Sequence, residues 1–278
     1  MGSRELVAQD RRLGDRRHSS VSGNTETRKL TPDSTARILV EHLFEQHFLA
    51  IPGVDIGTAY VLADDEARVG GDLIDIYQFD NGSAAISIAD ISGKGMKAAA
   101  QAALVKYGLR AYVSSGLTPA QALLCLNVLY LETAAFDRSD RESFVSVFLG
   151  IIDPERKIMT YASAGHDPAI FMTSDQSPIT LAPTAPIIGV FEESHKLFNQ
   201  RSVYLQPGTA TLILGTDGLT EARSPNGDFI AREDIMARIE ANRERSAQEH
   251  ADDLLHAAFE FCGRKPQDDI AIIAARFG

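Results

Sequence analysis

Apolar positions recur along this chain with two different periods, and the switches between them mark out the elements. After Thr31-Pro32-Asp33, which can start a helix, Ile38, Leu39, Leu43, Phe44 and Phe48 fall at helical spacing to about Phe48. Ile51-Pro52-Gly53 breaks that pattern, and Val54 to Ala63 reads as a strand. Strands follow from about Asp72 to Phe79 and from Ser83 to Ala89, joined by the hairpin signal Asp80-Asn81-Gly82. The period then lengthens. Met96 to Ser115 predicts a long Ala-rich helix carrying Ala99, Ala103, Val105, Leu109 and Val113. Thr118-Pro119 caps a second to about Ala135, with Leu123, Leu126, Val128 and Leu131 available for burial, ahead of a polar loop from Phe136 to Glu142.

The second half repeats the alternation. Phe144 to Ile152 and Lys157 to Ser163 predict strands around the turn Asp153-Pro154-Glu155-Arg156. Ala164-Gly165-His166-Asp167-Pro168 is a turn, followed by short strands near Ala169 to Met172 and Ile179 to Leu181, and a Pro-rich loop from Pro183 to Gly189. Ser202 to Leu205 and Thr209 to Leu214 flank Pro207-Gly208, and helices are expected over Ala231 to Asn242 and Ala247 to Cys262. The last helix opens with a capping box, Ser246 to Glu249, and a strand from Asp268 to Phe277 closes the chain. Hairpin turns mean antiparallel pairing, so two packed sheets with helix pairs outside are favoured over a parallel doubly wound sheet.

Acidic residues sit at the ends of these apolar strands: Asp72 after Gly70-Gly71, Asp90 in Ala89-Asp90-Ile91-Ser92-Gly93, Asp217 before Gly218, and Asp268-Asp269 before the closing strand. Like charges about 4 Å apart repel by roughly 4 kcal/mol at an effective dielectric of 20, so convergent carboxylates suggest a cation site. Oxygen donors without cysteine favour hard ions such as Mg²⁺ or Mn²⁺. Two such ions held by four carboxylates come close to neutrality, acidify a water from a pKa of 15.7 toward about 7, and clamp a phosphoryl group for in-line attack. Phosphoester hydrolysis follows. One count stands against convergence: with Asn81-Gly82 as a two-residue loop, Asp80 faces Ser83, Leu73 faces Asp90 and Asp72 faces Ile91. The two aspartates then point to opposite faces unless a twist or bulge near Gly70-Gly71 intervenes.

Composition narrows the classes further. Residues 1 to 29 carry seven Lys/Arg against four Asp/Glu, leaving 20 against 34 in the remainder of a chain of net charge −11. So acidic a body argues against nucleic acid as partner, and residues 1–30 read as a disordered basic tail. No apolar run of about 18 residues and no signal-peptide core is present, which predicts a cytoplasmic protein with no membrane span. Cys125 and Cys262 have no zinc or redox spacing and are expected to be buried.

Val69-Gly70-Gly71-Asp72, Ala89-Asp90-Ile91-Ser92-Gly93-Lys94-Gly95, Ala164-Gly165-His166, Ile188-Gly189, Pro207-Gly208, Thr216-Asp217-Gly218-Leu219-Thr220-Glu221 and Asp268-Asp269-Ile270 occur in this order. Together they resemble the motifs of the metal-dependent protein phosphatases, the PPM superfamily, in its bacterial SpoIIE/RsbU-like branch. The likeness covers about residues 45 to 278. It implies an α+β fold, an α-β-β-α sandwich of two mainly antiparallel sheets flanked by helix pairs, with a centre of two Mn²⁺ or Mg²⁺ ions at one end. It further implies that Asp90 bridges the metals, that the Ile91 backbone carbonyl and Asp72 complete the second site, and that Asp217 and Asp268 serve the first, with Asp269 as runner-up to Asp268.

The resemblance implies a phosphoserine/phosphothreonine phosphatase domain over 49–278 acting on a phosphorylated STAS-type protein. Residues 31–48 would form a regulatory or dimerisation helix. Ala271 departs from the Ser or Thr common after Asp-Asp-Ile. His166 is expected to be a structural hydrogen-bonding residue, Glu221 a brace for the turn after Asp217, and Lys94 either a phosphate contact or a solvated lysine. A non-catalytic module that keeps the fold and signals by docking is the alternative.

Overall fold

A computed structural model of the chain describes residues 50–278 apart from 64–69, 94, 137–142, 193–195 and 209. The expectations for residues 1–30 and 31–48, and for Lys94, lie outside the described residues. The ten strands are β1 (Val54–Val61), β2 (Asp72–Gln78), β3 (Ala84–Ile91), β4 (Val145–Asp153), β5 (Ile158–Ala164), β6 (Ala169–Thr173), β7 (Gln176–Leu181), β8 (Arg201–Tyr204), β9 (Ala210–Gly215) and β10 (Ile270–Phe277). The helices are α1 (Met96–Ser114), α2 (Pro119–Phe136), the single turn α3 (Asp217–Thr220), α4 (Arg232–Ala241) and α5 (Ala247–Cys262). Phe136, expected in a loop, ends α2, and Asp90 and Ile91 lie within β3 rather than beyond it. Asp268 and Asp269 precede the closing strand instead of belonging to it.

One sheet runs β1-β10-β9-β6-β7 and the other β2-β3-β4-β5-β8, with every neighbouring pair antiparallel. Alternation along each strand sends one set of side chains between the sheets and the other under the helices. Ile74, Ile76, Ile86 and Ile88 meet Leu212, Leu214, Ala271 and Ile273 between the sheets. On the outer faces, Leu73, Ala89 and Ile91 pack under α1 and α2, while Ile270, Ile272 and Ala274 pack under α4 and α5. The α-β-β-α sandwich is therefore present, built from three apolar layers. Val128 departs from expectation at 46% exposure, and Cys125 is only half-buried, whereas Cys262 is buried.

The helix ends follow local chemistry. The Ser246 hydroxyl accepts the Glu249 backbone N–H, and the Glu249 carboxylate accepts the Ser246 N–H at 2.8 Å, completing the capping box of α5. Gly263, in left-handed conformation at φ 60, ends that helix and turns the chain toward Asp268.

The β2–β3 hairpin corrects the sequence count. Phe79 N–H donates to the Ser83 carbonyl at 2.8 Å, so the loop is the three residues Asp80 to Gly82. Gly82 closes it at φ 82, a conformation a Cβ disfavours. The register consequently shifts by one, and Asp72 stands directly opposite Asp90. Both follow the inward-facing ranks of Ile74 and Ile76 and of Ile86 and Ile88. No bulge near Gly70-Gly71 is needed.

Candidate active site

The site lies at the end of the sandwich where β2 begins, β3 and β9 end, and β10 begins. Directly opposed residues of an antiparallel pair hold their Cβ atoms about 4.5–5.5 Å apart, which sets the scale for Asp72 and Asp90. The other sheet supplies Asp217 at the first turn of α3, reached through Gly215 and Thr216 at the end of β9.

Thr216 ties the two sheets together here. Its hydroxyl donates to Asp72 Oδ2 at 2.6 Å and accepts the Ala271 N–H at 3.0 Å, all within buried surroundings. Tyr60 from β1 adds a longer contact, its hydroxyl 3.4 Å from the Asp72 carbonyl oxygen. Sequence reasoning did not single out Thr216 as a functional residue. Its only signal was a hydroxyl next to Asp217 in an otherwise apolar run.

Burial and mutual charge dominate the electrostatics. Burial pushes the Asp72 carboxyl well above its ordinary range; the Thr216 hydrogen bond opposes this, while the charges of Asp90, Asp269 and Asp217 reinforce it. Burial, then Asp217, Asp268, Asp269 and Asp167, raise Asp90 to about 7. Asp217 rises to about 6 through burial and the charges of Asp268, Glu221 and Asp167. Each carboxylate thus feels its neighbours across the gap between sheets, the pattern expected where anions are gathered to receive a cation. Among the described residues, no three Asp, Glu, His or Cys side chains are already closed on one point as a coordination set.

Three glycines make this crowding possible. A Cβ on Gly71 would overlap the Ile91 carbonyl oxygen, one on Gly70 would overlap Asp269 Oδ2, and one on Gly218 would overlap the Asp269 carbonyl. Gly71 therefore leaves room around the backbone oxygen that the sequence singled out. The adjacent aspartates also separate by environment. Asp269 Oδ1 accepts the Ala63 N–H at 2.7 Å, which ties that carboxylate to the end of β1, whereas Asp268 is exposed beside Gly218 and Glu221.

His166 is buried, and its Nδ1 shares a 2.8 Å hydrogen bond with the Ser146 hydroxyl. Burial lowers its pKa to about 4, opposed by Asp167 and by the Gly215 backbone, and Nε2 is buried without a hydrogen-bond partner among the described residues. It is a neutral, enclosed residue, as its turn suggested. Asp167, passed over in the sequence, accepts a hydrogen bond from the Thr220 hydroxyl and pairs with Arg232 at 3.2 Å, fixing α3 against α4. Glu221 caps α3 through its backbone N–H to the Asp217 carbonyl.

Comparison with known proteins agrees with this architecture. The model of the family described as Stage II sporulation protein E (SpoIIE) matches residues 80–278. The phosphoserine phosphatase RsbU of Bacillus subtilis (strain 168) is 30% identical over 206 residues, 73% of this chain and 58% of its own length. The chain thus spans little more than half of that relative. Among solved structures, the SiaA-PP2C domain of Pseudomonas aeruginosa superposes with a TM-score of 0.73 at 19% identity, covering 88% of this chain and 95% of that one. The PP2C phosphatase domain and regulatory fragment of SpoIIE from Bacillus subtilis gives 0.67 at 21% identity, covering 81% and 63%. With a family model matched over more than half its residues and the sandwich in place, the chain belongs to the SpoIIE family and shares the fold of those PP2C domains.

Proposed function

We propose that the chain is a metal-dependent phosphoserine/phosphothreonine protein phosphatase whose substrate is a phosphorylated STAS-type protein in a partner-switching pathway. The observation that carries this reading is the opposition of Asp72 and Asp90 at one sheet end, with Asp217 and Asp268 raising the pKa of Asp90 from the other sheet. The donors are carboxylate and carbonyl oxygens without thiolate, which suits two Mn²⁺ or Mg²⁺ ions. Like charges at this density hold one another off, so drawing them into one coordination set requires the cation's charge. When bound, such ions supply an acidified water and neutralise charge on the phosphoryl group.

Each residue has a part. Asp90, central to the mutual charge effects, would bridge the two positions. Asp72, oriented by Thr216, and the Ile91 carbonyl, uncovered by Gly71, would complete one. Asp217 and Asp268 would complete the other, and Asp269, bound to Ala63 N–H, braces β1 instead. Hydrolysis breaks the O–P bond of the phosphorylated side chain and returns a proton to its oxygen. His166, neutral and enclosed with Nδ1 engaged by Ser146, is not placed to supply that proton.

The test is hydrolysis of para-nitrophenyl phosphate and of a phosphorylated STAS protein with Mn²⁺ and with EDTA. Asp90→Asn should lower kcat at least about 100-fold, the scale of several kcal/mol of lost transition-state stabilisation, while the variant still folds. A docking module without catalysis is the second reading, since the same fold and carboxylates could serve binding of the partner alone. Binding of the STAS protein with no turnover in Mn²⁺ or Mg²⁺ would establish it and end the first.

A further inference from the structure

Beside the carboxylates, the turn after α3 and the loop from α5 to β10 enclose a cavity of about 230 Å³ whose lining includes Gly218, Glu221, Arg223, Arg264, Lys265 and Asp268. Three cations against two carboxylates are unusual in a chain of net charge −11. Two features make this more than a chance grouping. The Arg223 guanidinium lies 4.3 Å over the Phe229 ring, and a backbone bridge joins the same two residues, so the cation is held in place rather than waving in solvent. Gly263, left-handed at the end of α5, aims the chain so that Arg264 and Lys265 follow directly on the helix and face the cavity. Neither Arg223 nor Arg264 forms an ion pair with a carboxylate among the described residues.

We infer that this cavity is a substrate subsite which takes an acidic side chain, Asp or Glu, lying one to three residues from the phosphorylated residue. The inference rests on the phosphatase reading for what occupies the neighbouring carboxylate cluster. Of the aspartates in that cluster only Asp268 lines the cavity, so the reacting phosphoryl group belongs to the cluster and the cavity serves what flanks it. Consecutive residues of an extended chain advance by about 3.3–3.6 Å, which brings a near neighbour to the adjoining cavity. The space is too small for a helix, about 10–12 Å across with side chains, and suits one side chain. A guanidinium fork pairs with a carboxylate in two parallel hydrogen bonds, which gives the subsite its chemical preference.

The experiment uses the full chain and two labelled phosphoserine peptides that differ only in carrying Glu or Gln beside the phosphoserine. Equilibrium binding is read by fluorescence anisotropy in EDTA, and kcat/KM is read with Mn²⁺. The Glu peptide should bind about tenfold more tightly than the Gln peptide at low salt, with the gap closing as salt rises. Arg223→Gln and Arg264→Gln should each shrink that preference by about threefold, within the range for a single exposed charge pair, and the double variant should erase it. Both arginines are exposed, and thermal melting confirms that the variants fold. Equal binding of the two peptides by the wild type overturns the inference. So does a preference that survives in the double variant, or an equal loss on both peptides, which would place the phosphoryl group itself in the cavity. Preferential binding without turnover of either peptide supports the subsite and defeats only the phosphatase reading; turnover without preference does the reverse.

Discussion

At the scale of single residues, the site depends on where side chains are missing as much as on where they are present. Gly71 is the sharpest case, because its φ is not in the left-handed region and its requirement is purely one of space. Gly71→Ala should therefore lower Mn²⁺-dependent turnover by tenfold or more, since the methyl group must displace the Ile91 backbone carbonyl, and should also cost about 1–3 kcal/mol on urea unfolding because β3 is paired on both sides. Gly218→Ala likewise drives a methyl group into backbone, here the Asp269 carbonyl. Neither α3 nor the start of β10 can yield cheaply, and a loss of about 1–3 kcal/mol is expected on urea unfolding, the usual range for overpacking.

At the scale of elements, the placement of α1 on β2 rests on a buried charge cluster separate from the site. Asp75 is 3% exposed and accepts two hydrogen bonds from Arg110, at 2.6 and 2.7 Å, with Lys106 Nζ at 3.7 Å. Arg110 also lies 4.8 Å over the Tyr77 ring. Burial pulls the Lys106 pKa down while Asp75 pushes it up, so the lysine depends on the carboxylate for its charge. Asp75→Ala would remove this carboxylate from beside the buried Lys106, while Arg110, 37% exposed, can turn toward solvent. The expected cost is about 2–3 kcal/mol in urea unfolding, below the range for breaking a fully buried pair because Arg110 is partly solvated. A variant that lost less than about 1 kcal/mol would show that α1 is held by apolar packing alone. Because α1 begins four residues beyond Ser92, its displacement should also weaken Mn²⁺ binding.

For the whole molecule, two sets of groups tie stability to pH in opposite directions. The raised pKa values of Asp90, to about 7, and Asp217, to about 6, mean that the fold favours their protonated forms. Their contribution is complete below about pH 4 and is lost as pH rises through 6 to 7. In EDTA, the melting temperature of Asp90→Asn relative to wild type should accordingly increase from pH 5 to pH 8, and Mn²⁺ should raise the wild-type value at pH 8 but hardly at pH 5. His166, lowered to about 4, acts the other way: its contribution is complete above about 6.5 and drains away as pH falls to 4. That amounts to on the order of 3 kcal/mol. His166→Gln should flatten this acid limb in pH-dependent unfolding; an unchanged limb would mean the histidine is charged in the fold. Beyond pH, no helix among the described residues is long and apolar enough to cross a membrane.

The order of elements, the antiparallel pairing and the identity of the acidic residues were legible in the chain, because period-2 and period-3.6 patterning and turn residues act locally. Capping of α5 was equally readable, since Ser246 and Glu249 are three residues apart. Other features were decided only in three dimensions. Counting from Asn81-Gly82 misplaced Asp72 by one residue and hence by one face, because loop length was settled by the apolar ranks on both strands rather than by the dipeptide. Thr216 became visible as the link to Asp72 only once residues 144 apart in sequence met across the two sheets. Asp268 and Asp269, adjacent and chemically identical, were told apart only by their surroundings, since Ala63 N–H donates to Asp269 and Asp268 is exposed. Sequence thus determined which groups the protein has and which strands carry them; the packing of one sheet on the other decided which of those groups share a space, since that depends on contacts no local pattern encodes.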